Sequence, residues 1–142
     1  MLVQMSICRW LYELIYPLSF FHIVDKKIPI IWVESPKFTS SYYKEYLGFK
    51  IIKRKNNQQG MDILLKKQNN LIWIKQLDIE KQKSTRTNPS QKVTIFLSNI
   101  ESEYNNLTQR VRLVKPFDKL KNKNTSFTIR DCNGIDIVYT QS

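Results

Sequence analysis

The chain has 142 residues, 42% apolar and 12% aromatic with three glycines, a composition that suits one domain with a buried core and excludes a disordered tail. Lys and Arg outnumber Asp and Glu by 23 to 12, but the cations are scattered, as in Lys53-Arg54-Lys55, Lys66-Lys67 and Lys119, Lys121, Lys123. A solvated basic surface is therefore favoured over a nucleic-acid stripe. Cys8 and Cys132 stand far apart, which excludes a disulfide framework and a zinc knuckle and fits a reducing, cytoplasmic setting.

Residues 1–24, "MLVQMSICRWLYELIYPLSFFHIV", read as an N-terminal amphipathic extension. Ile7, Trp10, Leu11, Leu14, Ile15 and Leu18 recur at helical spacing. Arg9, Glu13 and Pro17 interrupt the ~18 uncharged residues that a membrane span needs, so no stable membrane insertion is expected. The segment lacks the basic start and small-residue cleavage site of a secretory signal. His22, beside Phe20, Phe21 and Ile23, reads as a packed residue rather than a metal ligand.

The domain proper is expected over 25–142. "IPIIWVES" reads as a strand, and Ser35-Pro36 opens a helix whose apolar face is Phe38, Tyr42, Tyr43, Tyr46 and Leu47. Gly48 ends that helix, because a helix C-terminus commonly requires a residue that accepts positive φ. "FKIIKRK", "MDILLKK" and "LIWIKQ" read as strands separated by the turns "NNQQG" and "QNN". The first unit, 28–76, is thus βαβββ. A polar linker follows over 77–90. In 91–141 the order repeats: "KVTIFLS" as a strand, a stripe of Ile100, Tyr104, Leu107 and Val111 as a helix, then "RLVKPF", "TSFTIRD" and "IDIVYTQ" as strands.

Adding 64 takes Val33 to Leu97, Leu65 to Ile129, Lys66 to Arg130, Asn69 to Asn133, Leu71 to Ile135 and Trp73 to Ile137. Each unit leaves an apolar sheet face that only a partner unit covers. The expected fold is α+β: two tandem βαβββ units forming a curved, cup-shaped mixed sheet with helices on its outer face.

"SYYKEYLGF" resembles the F-Y-x-x-x-L-G-F signature of the vicinal oxygen chelate superfamily, which includes glyoxalase I, extradiol dioxygenases, and the fosfomycin and bleomycin resistance proteins. "RDCNGIDIVYTQ" resembles that superfamily's closing D-P-x-G-N-x-I-E-L segment, with Cys132 where Pro is usual and Ile135 where Asn is usual. The resemblance covers residues 28–141 and implies a divalent metal held at four strand positions. Counting from the motifs and applying the repeat puts them at Ile28, Ile74, Lys92 and Val138. None offers an imidazole, thiolate or carboxylate, so no metal and no cofactor is expected. Pro29 in "IPIIWVES" resembles the metal-free bleomycin-resistance branch, which implies a homodimer with its ligand in the cup or the dimer groove. Bleomycin is cationic, and the basic body argues against it.

Strand alternation then assigns the cup. Ile28, Ile30 and Trp32 share one face with Lys92, Thr94, Phe96, Asp136, Val138 and Thr140, and Ile72, Ile74 and Gln76 are placed there too. Ile31, Val33, Leu71, Trp73, Val93, Ile95, Leu97, Ile135, Ile137 and Tyr139 are assigned to the helix-covered face. The candidate ligand-binding residues are Ile30, Trp32, Lys92, Thr94, Phe96 and Asp136, suited to a small neutral-aromatic or anionic ligand. Packing of Trp32 and Phe96 in a closed second core is the competing reading. Two other functions stay open: a glyoxalase-like enzyme with a relocated or subunit-shared site, using Lys92 or Asp136 as acid or base, and a basic nucleic-acid or regulatory protein.

Overall fold

The computed structural model describes residues 27–58, 60–78, 91–117 and 125–142. The expected helix over 1–24, His22 and most of the 77–90 linker lie outside the described residues.

Strand β1 (Ile30–Val33) alternates exposed and buried side chains, the pattern of a strand with one covered face. It leads into helix α1 (Pro36–Tyr46), where the Ser35 side chain accepts from the Phe38 N–H at 3.3 Å and Pro36 occupies the first turn. Both features satisfy or remove amide donors that a helix start leaves unpaired. Gly48 follows at φ +71°, and the Phe49 N–H folds back onto the Tyr43 carbonyl at 3.0 Å. A glycine tolerates that left-handed conformation.

The buried face of α1 differs from the sequence expectation. Pro36, Thr39, Ser40 and Tyr43 are buried, with Leu47 after them, whereas Phe38 is 63% exposed and Tyr46 46% exposed. Small side chains at 39 and 40 let the helix lie close to the sheet. The larger aromatics flank the contact, and Tyr42 and Tyr46 stack on each other at 5.1 Å.

Strands β2 (Lys50–Asn57), β3 (Gly60–Lys67) and β4 (Asn70–Gln76) complete the first unit as a four-stranded sheet in the order β1-β4-β3-β2, with β1 parallel to β4. The second unit repeats it. β5 (Lys92–Leu97) leads to α2 (Ile100–Leu107), capped by the Asn99 side chain on the Ser102 N–H. Then β6 (Arg112–Lys115), β7 (Ser126–Arg130) and β8 (Asp136–Gln141) give the order β5-β8-β7-β6. Each outer strand carries one irregularity, at Ile52 in β2 and Val114 in β6. Bulges and the lysines around them blunt edges that could otherwise pair with another chain.

One hydrophobic cluster runs through both units, from Ile31, Tyr43 and Leu65 to Ile95, Phe127, Ile137 and Tyr139. Two side chains at equivalent places clasp the units together. Lys67, at the end of β3, pairs with Glu103 on α2 and also donates to the Leu47 carbonyl at the end of α1. A cation there also meets the negative end of the α1 dipole. Asp131, after β7, accepts from the Tyr43 hydroxyl on α1 at 2.6 Å and from the amides of Asn133 and Ile135, both at 2.8 Å. Asn133 adds a bond to Thr39 at 2.9 Å.

Strands β1 and β5 meet at a seam closed by side-chain amides. Gln91 donates to the Trp32 carbonyl at 3.0 Å and accepts from its N–H at 2.9 Å. Asn70 likewise donates to the Phe96 carbonyl at 2.7 Å and accepts from its N–H at 2.9 Å. Two edge strands thereby satisfy main-chain groups that would need water.

The face assignment of β4 is corrected by the strand pairing. Ile72 and Ile74 are fully buried in the core, and Trp73, paired with exposed Ile30, stands on the opposite face with Leu71 and Lys75. The cause is turn length. Between the equivalent ladder pairs Lys66–Leu71 and Arg130–Asp136, the β7–β8 connection is one residue longer than the β3–β4 connection. The repeat offset of 64 therefore becomes 65 on the last strand, which takes Ile72 to Ile137 and Trp73 to Val138. A slip of one residue moves every side chain of a strand to its other face.

Candidate functional site

The helices cover one face of the sheets, and the other face is open. Ile30 is 38% exposed, Trp32 42% and Phe96 53%, high values for side chains on the two strands that meet at the seam. Lys92, Thr94 and Phe96 share this face along β5, with Asp136, Val138 and Thr140 opposite them on β8. The structure thus brings the six sequence-chosen residues onto one face, while the seam sets Trp32 and Lys92 at one end. Phe96 stands at the other, beside a cavity of about 240 Å³ lined by Ile28, Pro29, Asn69, Asn70, Leu71 and Thr94.

Register adds residues that sequence reasoning assigned elsewhere or did not select. Trp73 lies beside Ile30, and Lys75 beside Trp32. The Lys75 ammonium sits 5.9 Å from the Trp32 ring centre and 6.0 Å from that of Trp73, within cation–π range. On the flanking strands, pairing places Lys50, Lys53, Lys55 and Lys66 on the open face of unit one. It places Arg112, Lys115 and Arg130 on that of unit two. The carboxylates of Asp62 and Asp136 face Lys75 at 3.8 Å and Arg130 at 2.9 Å. Ladders across the sheets thus run Lys55-Asp62-Lys75-Trp32 in one unit and Lys92-Asp136-Arg130-Arg112 in the other. The signal that could have found Trp73 and Lys75 is the extra residue in "RDCNGID" relative to "KKQNNL".

Solved structures resemble this arrangement over most of the chain. TioX from Micromonospora sp. ML1 matches with a TM-score of 0.65 at 12% identity, over 81% of this chain and 98% of that one. A glyoxalase/bleomycin resistance protein/dioxygenase superfamily member from Sphaerobacter thermophilus DSM 20745 matches at 0.63 and 12% identity, over 84% and 99%. The chain has the vicinal oxygen chelate fold. TnmS3, an antibiotic binding protein from Streptomyces sp. CB03234, matches at 0.61 and 13% identity, over 82% and 95%. At such identities the likeness establishes the fold alone. No family model and no curated protein matches the sequence.

The vicinal oxygen chelate signatures serve the frame. Tyr43 and Asp131 join the units and Gly48 and Gly134 take positive φ, and of the two stretches only the strand residues flanking the second turn, Arg130, Asp136, Val138 and Thr140, lie on the open face. The metal implied by the fold finds no donors here. The four positions that the resemblance implies are Ile28, Ile74, Lys92 and Val138, and strand pairing puts Trp73 rather than Ile74 on the face of Lys92 and Val138. None can coordinate a divalent ion. Among the described residues no three His, Cys, Asp or Glu side chains group as metal ligands. No described helix is long and apolar enough to cross a membrane. Desolvation of its sulfur, and then the charge of Asp131, push the Cys132 thiol up to about 11, which disfavours the thiolate at neutral pH.

Proposed function

We propose that this chain is a metal-free small-molecule-binding protein that holds its ligand on the open face without transforming it. The observation that carries the reading is the exposure of Trp32 and Phe96 on the two strands that meet at the seam, in the middle of a face where a folded chain ordinarily hides aromatic area unless something covers it. Ile30, Trp73 and the side chains of Lys92, Thr94 and Asp136 complete an apolar floor with polar groups, the make-up of a ligand site. TnmS3, which shares the fold, is an antibiotic binding protein, and this supports binding as the role. The carboxylates of Asp62 and Asp136 each face a cation, an arrangement that favours holding a ligand over proton transfer. A homodimer, and the cytoplasmic setting expected from the two distant cysteines, belong to the same proposal.

The test is a thermal-shift and tryptophan-fluorescence screen of the purified protein against divalent metals and a panel of aromatic and anionic metabolites. A ligand that binds the folded state alone raises the melting temperature by mass action. Binding that is abolished in Trp32→Ala, with the fold retained and EDTA without effect, supports the proposal. Near-equimolar metal lost together with the fold on chelation overturns it. Sedimentation velocity reads the oligomeric state directly.

A further inference from the structure

We infer that the open face takes a planar aromatic ligand carrying several negative charges, its ring on Trp32 and Trp73 and its anionic groups on the cations around them. The inference rests on the open face being the binding site and adds the chemical class of what it binds.

The face is rich in hydrogen-bond donors and poor in acceptors. Beyond Asp62 and Asp136, each already facing a cation, the charged side chains that register places there are lysines and arginines. Lys and Arg donate and do not accept. Thr94, Thr128 and Thr140 contribute hydroxyls, which serve anionic oxygens equally well. A surface of this balance repels cationic ligands, concentrates anions and leaves a neutral ligand's donors without partners.

The placement of the cations sets the ligand's size. Lys75 is next to Trp32 on the neighbouring strand and stands over both indoles. Gln91, which fixes the Trp32 main chain, immediately precedes Lys92, so a second ammonium lies across the seam from the same ring. Arg130 is two strands beyond β5 in the same ladder. With strands about 4.8 Å apart, these cations stand roughly 5 to 15 Å from the indole. That span fits phosphates, sulfonates or carboxylates carried on a fused-ring scaffold. A single carboxylate on a small ring would reach one cation and leave the others unused.

The experiment titrates the protein with pyranine, a hydroxypyrene bearing three sulfonates, and follows tryptophan quenching and melting temperature. Uncharged pyrenemethanol, tripolyphosphate and an oligothymidylate are the comparison probes. Pyranine is expected to bind about tenfold tighter than pyrenemethanol or tripolyphosphate, and to weaken several-fold between about 50 and about 300 mM NaCl. Lys75→Met and Lys92→Met, which keep most of the stem, should each weaken pyranine about fivefold and leave pyrenemethanol unchanged. Lys53→Met, on the outer strand, should have less effect and checks that net charge alone is not responsible. Equal binding of pyrenemethanol, or affinity insensitive to salt, overturns the charged-ligand inference and leaves the binding proposal intact. Tripolyphosphate binding as tightly as pyranine removes the ring from the account. Oligothymidylate binding tighter than pyranine, with the same lysine dependence, overturns it in favour of single-stranded nucleic acid. If no probe binds, and Trp32→Ala changes nothing across the metabolite panel, the binding proposal falls as well.

Discussion

The two turns that connect the last strands of each unit occupy the same place in the repeat and behave differently. In the first, Gln68 takes a positive φ of 50° and the side chain of Lys67, the last residue of β3, reaches Glu103 on the second unit's helix. In the second, Gly134 takes φ +81° and Asp131 reaches back to Tyr43 on the first unit's helix. Residues 64 apart thus make reciprocal contacts, one an ion pair and one a hydroxyl on a carboxylate. The extra residue of the second turn is absorbed within an Asx-type loop, where Asp131 binds the amides of Asn133 and Ile135. The comparison teaches that a duplicated fold preserves contacts between units more strictly than the chemistry that makes them or the spacing that carries them.

The largest effect is expected from the strand that follows the shorter turn. Ile74→Ala should cost about 3 to 4 kcal/mol by denaturant unfolding, because Ile74 is fully buried and its loss leaves a cavity. Trp73→Ala should cost less than half as much, and a reversed order would show that the β4 register is wrong.

The two clasps come next. Asp131→Ala removes one carboxylate that serves Tyr43 and two amides, and about 3 kcal/mol of destabilisation is expected from the donors left buried. Lys67→Met strands Glu103 on α2; the pair is partly exposed, so about 2 kcal/mol is expected. The double variant should show coupling of less than about 0.5 kcal/mol, because the clasps share no partner. Stronger coupling would mean that they act as one.

The smallest expected effect is a pH dependence. Burial first, and then the Asp131 charge, raise the Tyr43 phenol well above its ordinary value. The folded state therefore holds this proton more tightly than the unfolded chain. The resulting stability is fully present below the ordinary tyrosine value near ~10 and is lost as pH rises through the folded value. The Cys132 thiol, raised to about 11, acts in the same direction from about pH 9 upward. Melting temperatures should fall in this alkaline range, and the fall should be shallower in Tyr43→Phe. An unchanged slope would show that Tyr43 does not contribute to it.

The sequence by itself determined the order and kind of the elements among the described residues. Period-two and period-3.6 patterns, the Ser35-Pro36 start and the Gly48 stop are local signals, and local signals survive without knowledge of the partner strand. "SYYKEYLGF" and "RDCNGIDIVYTQ" pointed to the fold because their residues build turns and the contact between units. Tertiary structure decided which face β4 presents, since side-chain direction alternates at every residue of a strand and the outcome hung on one residue in a turn. It also decided which side of α1 is buried, because Thr39 and Ser40 permit a close approach that Phe38 and Tyr46 do not. The gathering of the cations was invisible for the same reason. Lys53, Lys66 and Lys75 are scattered along the chain, and only pairing between strands brings every second residue of each onto a single face.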